Sequence, residues 1–118
     1  MSADRAADAD FQRQVVDRDG QCIYCGESRR EYLCGHHLIT RGNPASRHDL
    51  RNGVAVCNGA TVRWVDGLGM CKVGCHTLAE DNKNWALERA MRHFIRLGYF
   101  KNATEYARWN GGAREGRT

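Results

Sequence analysis

The stretch Cys22-Ile23-Tyr24-Cys25-Gly26 sets two thiols three residues apart ahead of a glycine, and Cys34, Cys57, Cys71 and Cys75 follow. Two thiols at this spacing clasp one tetrahedral ion, and the glycine lets the chain turn tightly around it. At 118 residues the chain reads as one small domain, 1–118, whose interior needs a further staple to be stable. Met1-Ser2-Ala3-Asp4-Arg5 opens no signal-peptide hydrophobic region, and no apolar run approaches the roughly 18 residues of a membrane span. The expectation is a cytoplasmic protein with no membrane partner, in which thiols stay reduced and serve as zinc ligands rather than as disulfides.

A closed tetrahedral site needs a second pair of ligands. Cys57 ends a predicted strand and Cys75 opens a predicted helix, so both sit at element ends where they can converge with Cys22 and Cys25. Cys71 competes, because Cys71 and Cys75 could supply both later ligands and leave Cys57 as an apolar core residue. Cys34, inside a strand, reads as a small core side chain.

Hydropathy and turn signals give an α+β order. A short helix is expected at 9–17, capped by Asp8 or Asp10 and ended by Asp19-Gly20. Strands at 32–40 and 53–57 flank a polar stretch at 41–50 that holds the only proline, Pro44. An insert at 58–72 has the glycines of a second hairpin. Helices follow at 75–80, at 84–97 with Leu87, Ala90, Met91, Phe94 and Ile95 on one face, and at 101–109, before a flexible tail at 110–118. The core spans about 19–98.

The formal charge is +4, and its distribution is uneven. Between residues 29 and 72 the cations Arg29, Arg30, Arg41, Arg47, Arg51, Arg63 and Lys72 face only Glu31, Asp49 and Asp66, while Asp4, Asp8, Asp10, Asp17 and Asp19 collect near the N-terminus. Arginine suits bidentate contact with phosphate, and a solvated surface has the same composition. Arg41, Arg47, Arg51 and Arg63 are the candidates for DNA contact.

His36-His37 on the first strand, Asn52 before the second and His76 at the head of a helix place polar side chains at the edges of three successive elements. His48 and His93 read as satisfied surface or core residues. Adjacent residues of a regular strand point to opposite faces, so His36 and His37 are expected to share a site only if the strand is bulged or twisted. Glu80 lies one helical turn after His76 and reads as a solvated position that could also reach an ion held there.

Asp19-Gly20-Gln21-Cys22-Ile23-Tyr24-Cys25-Gly26, Gly35-His36-His37-Leu38-Ile39, Arg51-Asn52-Gly53-Val54-Ala55-Val56-Cys57 and Cys75-His76 occur in this order, and as an ordered set they resemble the zinc-containing HNH endonucleases of bacteriophages and related mobile elements. The resemblance covers Asp19 to about Glu80, and the segments around Trp85 and Tyr106 are similar to the tails of phage members. One departure is the insert carrying Cys71, which separates Cys57 from Cys75 where the family has a tight CxxC pair and leaves Cys57 and Cys71 as alternatives.

The resemblance implies a zinc-stapled ββα-metal, treble-clef-like core with flanking helices. It implies that His36 and His76 hold one catalytic divalent cation, that His37 is the general base, and that Asn52 fixes the His37 ring by a hydrogen bond. The implied activity is hydrolysis of DNA phosphodiesters in a phage- or bacterium-encoded protein, nicking or cutting duplex DNA to leave 5′-phosphate and 3′-hydroxyl ends. With two neutral nitrogens as ligands, Mn2+, Ni2+ or Co2+ is expected to be favoured over Mg2+. The alternative is a non-catalytic zinc-stabilised module that binds nucleic acid, which would have no use for a base with an orienting partner.

Overall fold

The structure is a computed structural model that describes residues 3–59 and 62–116. Helix α1 (Ala3–Asp19) leads through a 3₁₀ turn at Arg30–Tyr32 into β1 (Leu33–His37), and a second turn at Leu50–Asn52 opens β2 (Gly53–Cys57). A small hairpin, β3 (Arg63–Val65) and β4 (Gly69–Cys71), precedes α2 (Cys75–Asp81), α3 (Lys83–Arg96) and α4 (Ala103–Arg114). The domain is α+β, with two two-stranded antiparallel sheets and four α-helices among the described residues. No helix among them is long and apolar enough to cross a membrane.

The β1–β2 hairpin is the middle layer, in a register that sets His37 opposite Gly53 and His36 opposite Val54. Alternation along β2 sends Ala55 into a cluster with Phe11, Val15 and Val16 of α1, and Val54 and Val56 into the larger cluster with Leu78, Ala79, Ala90 and Phe94. Gly53 is required by this packing, since a Cβ there would lie 2.4 Å from Phe11 Cζ and 2.8 Å from Val15 Cγ2. On α3, Ala86, Ala90 and Phe94 recur every four residues as the buried stripe. Truncating the fully buried Phe94 ring would cost about 3–5 kcal/mol.

Three boundaries differ from the sequence expectation. Helix α1 begins at Ala3 rather than residue 9, so Asp8 and Asp10 lie inside it and cap nothing. Ala6, Ala7 and Ala9 carry high helix propensity without apolar periodicity, and Asp8 is engaged by Arg41, Arg47 and His48. Strand β1 stops at His37 rather than Thr40 because the Asn52 side chain takes the Ile39 amide. Residues 110–114, expected in the flexible tail, form the end of α4: Ala113 is fully buried and its carbonyl accepts from Asn43 Nδ2 at 2.9 Å. Of that expected tail, residues 117–118 lie outside the described residues.

A buried ion pair ties the layers together. The enclosed Asp19 carboxylate accepts from Arg18 Nε at 2.8 Å, from the Ala55 amide at 2.8 Å and from His93 Nε2 at 2.7 Å. Arg18 in turn donates to the Gly53 and Leu50 carbonyls and lies over the Phe94 and Tyr99 rings. Burial raises the Asp19 carboxyl, and the donors from His93, Arg18 and Ala55 outweigh it, so its pKa falls below the ordinary aspartate value. His93 is thus a satisfied histidine, as expected, and so is His48 on Asp8.

Candidate functional site

Cys22, Cys25, Cys57 and Cys75 converge with their sulfurs all within 4.8 Å of one another. The 22–26 turn is closed by Gly26 N donating to the Cys22 carbonyl, and it docks on the sheet through Ile23 N and the Ala55 carbonyl. Cys75 reaches Cys57 because Gly74 lies against the Cys57 and Asn58 backbone, where a Cβ would be 2.8 Å from the Cys57 carbonyl oxygen. The Cys75 amide donates to Cys57 Sγ, and Cys25 Sγ lies 3.6 Å from Cys57 Sγ. Zinc–sulfur bonds of about 2.3 Å in a tetrahedron put sulfurs about 3.8 Å apart. The four-cysteine cluster is therefore compatible with a structural zinc. Cys71 stays outside it on β4, 3.5 Å from the Gly69 carbonyl, and Cys34 contacts Asn58 Oδ1.

The neighbouring Cys22 and Cys75 sulfurs lower the Cys57 thiol, Cys57 in turn raises Cys22 to about 12, and Cys22 and Cys57 raise Cys75. Sulfurs this close cannot all ionise side by side, and a divalent ion would remove that restriction. Arg63 Nη2 lies 3.4 Å from Cys57 Sγ, 3.3 Å from Cys75 Sγ and 2.7 Å from the Val73 carbonyl. Its guanidinium would stabilise thiolate charge there, and this candidate DNA contact lies beside the cysteine cluster.

At the other end of the hairpin a cleft of about 920 Å³ runs along the free edge of β1. Gln12 of α1 brackets that edge, accepting from the Gly35 amide and donating to the Gly35 carbonyl. His36 leans to the α2 side, its ring 5.0 Å from that of His76 and nearly perpendicular to it. His76 Nε2 lies 3.3 Å from Glu80 Oε1, and His36, His76 and Glu80 offer ligand atoms within 4.8 Å of one another. Around one first-row ion with bonds near 2.1 Å, ligand atoms lie about 3 to 4.3 Å apart, and these three residues could hold a single cation after small side-chain adjustments. Glu80, read from sequence as a solvated position, is exposed and also belongs to this cluster.

His37 leans to the α1 side, stacked on Phe11 with centroids 4.5 Å apart and planes 14° from parallel. Both histidines border the cleft from opposite faces of β1 because the cleft follows the strand edge, so the expected bulge is not needed. Burial pushes the His36 imidazole down to about 4, with His76 and His37 adding to the effect. Burial also lowers His37, against the opposing pull of the Arg47 carbonyl.

The Asn52 side chain hydrogen-bonds to Ile39 and Ser46 and not to His37. Fully buried, it accepts from the Ile39 amide at 2.6 Å and donates to the Ile39 and Ser46 carbonyls at 3.1 Å each. It fastens the loop after β1, and the Arg47 carbonyl of that loop holds His37 Nε2 at 2.7 Å. Orientation of His37 thus reaches Asn52 through the loop backbone, because a side chain one strand position ahead of Gly53 finds the loop amide before it finds the ring.

The other candidate DNA contacts are also engaged within the chain. Arg47 and Arg41 pair with Asp8 at 2.6 and 3.0 Å, which holds that carboxyl well below the usual range. Arg51 pairs with Asp49 at 2.7 Å and lies over Trp109. Of the four only Arg41 lines the cleft, where Lys83 and Arg114 join it, two cations that sequence reasoning missed. No family model, curated protein or solved structure matches the chain, so its function is read from the cysteine cluster and the histidine cleft.

Proposed function

We propose that the protein is a metal-dependent DNA endonuclease of the HNH type, built on a ββα-metal, treble-clef-like core in which β1, β2 and α2 carry the chemistry. The observation that carries this reading is the pairing, along one cleft, of a histidine whose Nε2 meets a carbonyl oxygen and a cluster of three residues that could hold a metal ion. A carbonyl oxygen only accepts, so the Arg47 contact assigns the proton to His37 Nε2 and leaves Nδ1 with its lone pair. Depressed basicity keeps His37 neutral at physiological pH, the state a base needs.

In this reading His37 Nδ1 takes a proton from the attacking water as its oxygen bonds to phosphorus. The bond to the 3′ oxygen breaks, and that oxygen leaves with a proton from solvent, giving 5′-phosphate and 3′-hydroxyl ends. Phe11 and the Arg47 carbonyl keep the imidazole from rotating during the transfer, and Asn52 keeps the carbonyl in place. His36, His76 and Glu80 would hold a divalent cation, which supplies charge neutralisation on a nonbridging oxygen and on the departing oxygen. The four cysteines would hold zinc as a structural staple. A domain of this size reaches few base edges, so sequence preference would be modest.

The test is incubation of supercoiled plasmid with the zinc-loaded protein and Mn2+, Co2+, Ni2+ or Mg2+. Conversion to nicked or linear forms in at least one ion is expected. DNA binding with no cleavage in any of them would overturn the enzyme reading and favour the zinc-stabilised binding module.

A further inference from the structure

Charge around the cleft is not where the sequence places it. Arg47, Arg51 and Arg63 are held by Asp8, Asp49 and the cysteine sulfurs. Lys83, at the start of α3, and Arg114, in the last turn of α4, are exposed, line the cleft that contains His36, His37 and His76, and form no ion pair among the described residues. Arg114 comes from a segment distant in sequence from the histidines. It is brought to the cleft by a specific contact: Asn43 Nδ2 donates to the carbonyl of Ala113, whose side chain is fully buried. Asn43 follows Arg41 by two residues and its own Oδ1 accepts from the Ala45 amide, so one clamp sets both Arg41 and Arg114 at the cleft.

We infer that Lys83 and Arg114, with Arg41, are the residues that bind the phosphates flanking the cleaved bond, and that Asn43 is the residue that positions Arg114 for it. This rests on the endonuclease reading, since the ligand it assigns is a nucleic-acid backbone. The physical ground is desolvation and competition. A guanidinium already paired with a carboxylate has part of its charge neutralised and fewer donors left for phosphate, whereas an unpaired cation on a concave surface offers its full charge and releases counterions on binding. Arg41 occupies an intermediate position, pairing with Asp8 while remaining largely exposed.

The experiment uses full-length, zinc-loaded His37→Ala protein, in which cleavage is expected to be slow on the time scale of binding, and a short DNA duplex, with Kd followed from 50 to 200 mM salt. Arg114→Ala and Lys83→Ala are each expected to weaken binding several-fold and to remove one counterion from the salt dependence, shrinking the loss over this range by roughly threefold. Asn43→Ala should reproduce part of the Arg114 effect, and Arg114→Lys should keep the slope. Arg92→Ala, on α3 and outside the cleft, removes a charge as a control and should leave the slope unchanged. Unchanged slopes in the Lys83 and Arg114 variants, or an equal change in Arg92→Ala, would overturn the phosphate assignment while leaving the endonuclease reading intact. A parent protein that binds no DNA at all would overturn both.

Discussion

His37 Nε2 lies 2.7 Å from the carbonyl oxygen of Arg47, and that single contact decides which nitrogen of the ring is free. The carbonyl sits in a loop fastened by Asn52 to Ile39 and Ser46, by Asp8 to Arg41, Arg47 and His48, and by Asn43 to the Ala113 carbonyl. Orientation of the His37 ring is therefore a property of a loop held by α1, α4 and the Asn52 side chain.

Replacing His37 by alanine should reduce plasmid nicking by about 10²–10⁴-fold, the range for loss of a general base. Zinc content and the melting profile should stay near those of the parent, because the ring is half-buried at the edge of the core. Nicking at the original rate would assign the base elsewhere.

Asn52→Ala should act first on stability. It takes the Asn52 partner from the Ile39 amide and the Ile39 carbonyl and one of two donors from the Ser46 carbonyl, which keeps the Asp49 amide, at a cost of about 2–4 kcal/mol. In a domain of this size that is on the order of 10 °C in Tm, and activity should fall with the loop's order. A thermal melt of the zinc-loaded variant checks this; an unchanged Tm would mean the loop is held by other contacts.

The cysteines give a selective prediction. Cys57→Ser should lower bound zinc below one per chain and abolish the cooperative melt, because a structural zinc contributes folding free energy directly. Cys71→Ser and Cys34→Ser should retain one zinc and a cooperative transition. Metal analysis with thiol titration separates the outcomes, and loss of zinc on Cys71→Ser would contradict the observed cluster.

The four clustered cysteines were legible in the sequence because thiols that converge on one point sit at element ends, and Cys57 and Cys75 end a strand and open a helix. The hairpin and α3 were legible for a related reason, since apolar alternation and the four-residue repeat of Ala86, Ala90 and Phe94 are local patterns. What the sequence hid depends on distant partners. The length of α1 follows from alanines without periodicity and from Asp8 meeting a loop some forty residues away. The end of α4 crosses Gly111 and Gly112, which read as a break, and is held by Asn43. The role of Asn52 was misread because a side chain's partner is set by the loop geometry, which spacing does not encode.

The buried Asp19 predicts acid lability with a definite sign. Its folded pKa lies below the unfolded value near 3.9, so its contribution is present in full above that value and is lost as pH falls through the folded pKa. Arg18 and His93 are the charged and titratable groups that face it. Asp19→Asn should be less stable than the parent at neutral pH, and the difference should narrow as pH drops below about 4. Denaturant melts of both proteins across pH 3–7 give the comparison. A constant difference would show that the stabilisation lies in packing and not in the charge.

In the proposed endonuclease, Glu80 is expected to set the metal preference. Two imidazoles alone favour Mn2+, Co2+ or Ni2+ strongly over Mg2+, whereas a carboxylate beside them gives Mg2+ one hard oxygen. The expected order is therefore Mn2+, Co2+ or Ni2+ ahead of Mg2+, with measurable Mg2+ activity that depends on Glu80. Glu80→Gln keeps the shape of the side chain and removes the anionic donor, so it should lower Mg2+-supported nicking at least about tenfold more than Mn2+-supported nicking. The residue is exposed, and zinc content and Tm should not move with it. Rates measured at equal low-millimolar ion concentrations provide the readout. An equal fall in both ions would show that the carboxylate acts on His76 through their 3.3 Å contact and not on the cation.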